Sequence, residues 1–121
     1  MKEYEKLYKK ENVKAHKETI DWQDVHAHYG ELKDEVIKLN TPDTITDNID
    51  LKKIEDNWEK IRQIIASVPT YDEMVDLMHR AGAVTTCEQI GVSEKLKEEG
   101  LKYHPYMRRR LSLMRLSYLI D

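Results

Sequence analysis

Two stripes of apolar residues constrain this chain more than anything else in it. Each advances by alternating steps of three and four and each ends near a proline. The first runs Trp22, Val25, Tyr29, Leu32, Val36, Leu39; the second runs Leu51, Ile54, Trp58, Ile61, Ile65, Val68. Steps of three and four put side chains on one face of an α-helix, whereas a half-buried strand alternates with period two. No segment alternates long enough to be a strand. Asp21 and Asp50 stand before the stripes as N-cap residues, and Pro42 and Pro69 stop them, because the residue before proline is pushed out of the helical region. The second stripe reads as one uninterrupted amphipathic helix. Gly30 lies inside the first, at a cost of about 1 kcal/mol against alanine, and admits a break near Tyr29-Gly30.

The rest of the chain fits the same class. Residues 41–49 are rich in Thr, Asp and Asn and read as turns. Thr70-Tyr71-Asp72-Glu73 is a capping box that opens a short helix carrying Met74, Val75, Met78 and Ala81, with Gly82 at its C′ position. A loop follows over residues 83–92, with Thr85 or Thr86 as its cap. Ser93 is the N-cap of the next helix, and His104-Pro105 divides or kinks what remains. The expected fold is all-α, a compact multi-helix bundle of about six or seven helices, with residues 1–121 as a single helical domain. Trp22, Trp58, Ile61, Ile65, Met78, Leu111 and Met114 are expected to be mutually buried, with Trp58 as the anchor.

Composition narrows the function. The four glycines, Gly30, Gly82, Gly91 and Gly100, are at least nine positions apart. Neither GxGxxG nor GxxxxGK[ST] can be built from them, because both need glycines within one tight turn for backbone N–H groups to reach phosphate. Twenty Lys and Arg against twenty-three Asp and Glu give a net charge of -3. No chain-wide cationic field exists to attract nucleic acid or anionic lipid. One cysteine, Cys87, forms no internal disulfide and suits a reducing compartment. The start MKEYEKLYKKE lacks an apolar core and no run approaches 18 apolar residues, so neither a secretion signal nor a membrane span is expected. A cytoplasmic location follows from this reading.

The candidate chemical groups are few. His26 and His28 are two apart, which on a helix turns their rings in divergent directions; Asp24 and His28 share a face, but two ligands make no site. Asp72, Asp76 and His79 share another face. Acids in a first turn and a histidine in a last turn are more simply read as complements to the helix dipole. Cys87 has no basic neighbour in sequence and reads as a small, half-buried residue. Arg108-Arg109-Arg110, with Lys102 and Arg115, forms the one basic cluster. The triplet reads as a solvated helix turn with one intramolecular ion pair, and a phosphate or carboxylate contact is the rarer alternative. No residue is assigned as catalytic, cofactor-binding or metal-binding.

Three blocks, in order, carry a resemblance. The first is Asp21-Trp22-Gln23-Asp24-Val25, then Tyr29-Gly30, then Asp34-Glu35-Val36. The second is Trp58-Glu59-Lys60-Ile61, Val68-Pro69-Thr70, Met78-His79-Arg80-Ala81-Gly82-Ala83 and the run from Thr85 to Ser93. The third is Tyr103-His104-Pro105-Tyr106-Met107-Arg108-Arg109-Arg110-Leu111-Ser112-Leu113-Met114. Together they resemble the C-terminal helical portion of the glycerol-1-phosphate dehydrogenases, within the iron-containing alcohol dehydrogenase and dehydroquinate-synthase-like superfamily. Pro105 stands where that family usually runs helix, and Arg110-Leu111-Ser112 replaces its Arg-Tyr-Thr, with Ser112 still able to cap the last helix.

The resemblance implies a non-catalytic C-terminal helical domain of a metal- and NAD(P)-dependent oxidoreductase, inactive alone. The NAD(P) site and a divalent metal such as zinc, nickel or iron are implied for the full-length family member, upstream of this segment. None of His16, His26, His28, His79 and His104 matches a family ligand position. The implied partner is the nucleotide-binding and metal-binding part, or a second copy. On this reading Tyr4, Leu7 and Tyr8 at one end, and Leu113, Leu116 and Ile120 at the other, are apolar faces left uncovered. The alternative is an independent helical adaptor that pairs with a partner helix.

Overall fold

The computed structural model describes all residues, Met1–Asp121. It contains eight α-helical segments and no strand: α1 (Lys2–Tyr8), α2 (Trp22–Tyr29), α3 (Lys33–Leu39), α4 (Leu51–Asp56), α5 (Trp58–Ala66), α6 (Tyr71–Arg80), α7 (Glu94–Tyr103) and α8 (Leu113–Ser117). Two of the boundaries are breaks inside one helix, so the expected all-α count of six or seven stands. Gly30, at φ 52°, interrupts the first stripe and a single 3-10 turn, Gly30–Leu32, joins α2 to α3. The second stripe is not the uninterrupted helix that its spacing suggests. Asn57 sits between α4 and α5, and its Nδ2 joins its own backbone N–H in donating to the Lys53 carbonyl, at 2.9 and 3.2 Å. The buried face survives the break: Ile54 and Trp58 are both in the core.

Helix ends follow the local chemistry. Asp21, Asp50, Thr70, Ser93 and Ser112 all accept a backbone N–H at the starts of α2, α4, α6, α7 and α8. The box of Thr70 and Glu73 is reciprocal. Gly82, at φ 69°, closes α6: its N–H meets the His79 carbonyl and that of Ala83 meets Met78, the double bond of a Schellman ending.

The core has two parts. Leu7, Ile54, Trp58, Ile65, Leu116, Leu119 and Ile120 form the first, and Val25, Val36, Tyr103 and Tyr106 the second. Trp58 is buried in the first and donates its Nε1 proton to the Lys10 carbonyl at 2.7 Å. Trp22 packs instead on the second cluster, against the Tyr106 ring. Of the other residues expected to be buried together, Ile65 is buried and Ile61 packs on the first cluster. Met78 and Met114 are only partly covered, and Leu111 is 48% exposed. The stripes therefore feed two clusters and not one.

The two chain ends also depart from expectation. Leu7, Leu116 and Ile120 are buried together, and Tyr4 and Leu113 pack on the same cluster, leaving only Tyr8 exposed among the six. The apolar rows at the ends cover each other. A short antiparallel bridge seals the join: the His16 N–H meets the Leu119 carbonyl at 2.8 Å and that of Asp121 meets Lys14.

Candidate interaction surface

Charge is held inside the body as well as on it. The Arg115 side chain of α8 is fully buried and the Glu18 side chain is 3% exposed, with Nε donating to Oε2 at 2.9 Å. The remaining polar atoms are satisfied by two further segments, one holding Thr44 and Thr46 and the other Pro105 and Tyr106. Arg115 Nη2 donates to Thr44 Oγ1 at 2.7 Å and Nη1 reaches the Pro105 carbonyl; Thr46 and Tyr106 hydroxyls donate to the two Glu18 oxygens. The guanidinium lies 4.3 Å from the centre of the Tyr106 ring. Thr44 in turn donates to Asn40 Oδ1, whose amide reaches the carbonyls of Val36 and Tyr106. Burial, with Glu18 adding to it and Arg115 opposing, pushes the Tyr106 hydroxyl above the usual tyrosine range. Every donor and acceptor in the knot has a partner. Arg115 thus belongs to a structural knot between the two apolar clusters, not to a surface basic cluster.

The other candidate groups are scattered. Arg108, Arg109 and Arg110 lie on an irregular bend, not on a helix turn; Arg109 makes the one ion pair expected, to Asp43 at 3.1 Å. Lys102 Nζ lies 2.7 Å from Asp24 Oδ2 and 2.9 Å from the Tyr103 hydroxyl. The hydrogen bond from Lys102, and then that from Tyr103, holds the Asp24 carboxyl below its usual range, while Asp24 raises Lys102. Both are exposed, so this pair contributes little to stability. The imidazoles of His26 and His28 diverge: the first stacks on Trp22, the second on Tyr103 at 4.0 Å. His79 lies within hydrogen-bond distance of Thr85 Oγ1, and Asp76 pairs with Arg80. No three His, Cys, Asp or Glu side chains come together as a metal-sized group. Cys87 is partly covered and unpaired.

What the structure does build is a surface. Between residues 66 and 102 not one residue is buried. This arm holds α6, a 3-10 turn at Glu88–Ile90, and α7. Its own ends are well made: Gln89 Oε1 accepts from the N–H groups of both Thr85 and Thr86, and Gly91 takes φ 72° to close the turn. The arm is tied to the body at its two ends. At the start of α6 the Tyr71 N–H donates to Glu5 Oε1 of α1 at 2.8 Å and Lys2 lies over the Tyr71 ring. The C-terminal end of α7 is held as well. There the Tyr29 hydroxyl donates to the Tyr103 carbonyl and the Tyr118 hydroxyl to the Lys102 carbonyl.

The arm carries apolar side chains outward. Leu77 is 52% exposed, Val84, Ile90, Leu96 and Leu101 are likewise exposed, and Ile64 at the end of α5 adjoins them in sequence. The total accessible surface is 8781 Å², against about 6,800 Å² expected for a folded monomer of this mass. The excess is total surface, polar and apolar together; it is the row of outward apolar side chains on the arm that marks an association surface. The amphipathic pattern of residues 71–81 was legible in sequence, but that its apolar face is only partly covered, with Leu77 left half exposed, was not.

The arm also gives a direct check on its independence. Thr70→Ala removes one N-cap bond and is expected to cost about 1 kcal/mol locally. Because α6 contributes no buried residue, amide exchange across Tyr71–Arg80 should quicken while the exchange of Trp58 and Leu119 stays unchanged. Uniform quickening over the whole chain would show that the arm and body unfold as one.

No family model, curated protein or solved structure matches this chain. No helix is long and apolar enough to cross a membrane.

Proposed function

We propose that this chain is a non-catalytic helical docking domain of a metal- and NAD(P)-dependent, glycerol-1-phosphate dehydrogenase-like oxidoreductase, working in a reducing compartment. The observation that carries the reading is the arm of residues 66–102, which is fully helix-capped yet buries no residue of its own. Much of the second sequence block resembling that family falls on this arm. Its role is to complete an apolar contact with the nucleotide- and metal-binding part. Chemistry is left to that part: here Arg115 and Glu18 are locked together, Lys102 is held by Asp24, and Glu73 is occupied by its cap.

Two measurements test it. The chain alone, titrated calorimetrically with NADH and with zinc, should give no stoichiometric heat, because it lacks paired glycines for a pyrophosphate and a helical ligand set for zinc. Added to a dehydrogenase of this type cut back before its C-terminal helical passage, it should restore NADH-dependent reduction of dihydroxyacetone phosphate. A one-to-one site for either ligand on the chain alone, or no gain of activity in the mixture, would overturn the reading.

One observation favours a second reading, an independent helical adaptor. The apolar rows at the two ends cover each other, so the body needs no further helix to bury them. Under that reading the mixture stays inactive and the arm is the adaptor's contact face.

A further inference from the structure

Residues 107–112 lead from the buried Tyr106 to α8 and belong to no helix. Two backbone bonds shape them: the Arg110 N–H donates to the Arg108 carbonyl at 2.8 Å, and that of Ser112 to the Arg110 carbonyl at 3.1 Å. Each is the i to i+2 bond of a γ-turn, centred on Arg109 and on Leu111. The N–H and C=O groups of those two central residues meet no partner within the chain, and both residues are exposed. Open backbone groups on alternate residues are what an added strand pairs with.

The segment is held still. Arg109 Nη1 donates to the carbonyls of Leu39 and Asp43, and Nη2 to Asp43 Oδ2 at 3.1 Å, which fastens the middle of the segment to the end of α3 and the loop after it. Its neighbours are free. Arg62, Arg80, Arg109 and Arg115 each pair with an acid of the chain, whereas Arg108 and Arg110 pair with none and both are exposed. They are two residues apart, no more than about 7 Å along the chain, the repeat of one face of a strand. Met107 and Leu111, 50% and 48% exposed, add apolar surface on either side.

Charge selects the occupant. A guanidinium pairs best with a carboxylate, which it can grip with two N–H groups. A strand bearing carboxylates at alternate residues sets one against each free arginine, and its intervening apolar residues fall level with Arg109 and Leu111, beside Met107. An anionic lipid surface fits less well, because two arginines fall short of the about four to eight basic residues that such recognition takes and the chain as a whole is at -3. We propose that residues 107–111 receive an extended acidic peptide as an added strand, with Arg108 and Arg110 pairing to its carboxylates and Arg109 and Leu111 exchanging backbone hydrogen bonds with it. The segment lies on the body, outside the arm, and the proposal does not depend on the docking reading.

Fluorescence anisotropy of a fluorescein-tagged peptide of alternating Glu and Val, titrated with the intact chain, tests it. A dissociation constant on the order of tens to hundreds of micromolar is expected, rising with salt. Arg108→Glu combined with Arg110→Glu should raise it about thirtyfold; both side chains are exposed, so the helical circular dichroism should stay unchanged. The same double variant should now bind a peptide of alternating Lys and Val, which shows that it still folds. Backbone pairing has its own readout. In an antiparallel ladder the valines lie opposite Arg109 and Leu111 and exchange hydrogen bonds with them, while the glutamates do not. Methyl groups on the valine nitrogens should therefore abolish binding, and methyl groups on the glutamate nitrogens should leave it. No binding of the Glu-Val peptide at millimolar concentration, binding indifferent to the charge reversal or to the place of the methyl groups, or capture by phosphatidylserine vesicles in place of the peptide would overturn the proposal.

Discussion

Arg115→Ala is expected to destabilise the fold by about 3–5 kcal/mol, the cost of leaving one half of a buried ion pair without its partner. The orphaned group is Glu18, whose side chain is 3% exposed and would keep only the Thr46 and Tyr106 hydroxyls. Thr44 Oγ1 would lose its donor at the same time. Many domains of this size have only about 5–15 kcal/mol in total, so the variant should be largely unfolded well below the wild-type midpoint in a urea titration. The companion experiment separates charge from packing. Replacing both members, Glu18→Met with Arg115→Leu, removes the unpaired charge and should recover part of the loss, the remainder being the cost of the Thr46 and Tyr106 hydroxyls left without their acceptor. A single variant within about 1 kcal/mol of wild type would show that water reaches the knot.

Trp58→Ala is expected to cost a further amount of the same order, about 3–5 kcal/mol. Trp58 opens α5, is 3% exposed, and touches the cluster that also holds Leu7 and Leu119. Truncation opens a cavity at the join between the two chain ends and strips the Lys10 carbonyl of its indole donor. The remaining structure relaxes poorly into such a space, because α1, α5 and α8 all border it. A loss below about 1 kcal/mol in the same titration would show that the tryptophan is not the anchor of its cluster. The two variants lie in different parts of the core, so their combined effect measures how far the knot couples the clusters.

The contrast between these two sites also explains what could be read from sequence. Trp58 was legible because helical spacing is local: Leu51, Ile54, Trp58, Ile61 and Ile65 announce their shared face whatever lies across from it. The caps were legible for the same reason, each being settled within three residues. Asn57 was not, since an asparagine in a stripe is silent until its side chain is seen to share the Lys53 carbonyl with the backbone. Glu18 was harder still. It lies in an irregular segment with no periodicity, 97 positions from Arg115, and in sequence it is one acid among twenty-three. Arg115 was assigned to a surface cluster because four basic residues nearby made it look like one of several. Nothing short of tertiary placement distinguishes it from Arg108 or Arg110. For the interaction surface, the amphipathic pattern of α6 marked the right helix, but not the face that stays open. Tyr4, Leu7, Leu116 and Ile120 had equally apolar faces, and they are the ones that found each other.

The separation between arm and body governs how this protein should be observed. Both tryptophans, Trp22 and Trp58, lie in the body, and the arm holds Tyr71 as its sole aromatic residue. Indole fluorescence therefore follows the two apolar clusters and is blind to α6 and most of α7. Far-ultraviolet circular dichroism counts every helical residue and weighs the arm heavily. The two signals report different equilibria on one chain, and their midpoints have no reason to coincide. A melting temperature read from fluorescence alone would describe only the part of the molecule that contains the two indoles.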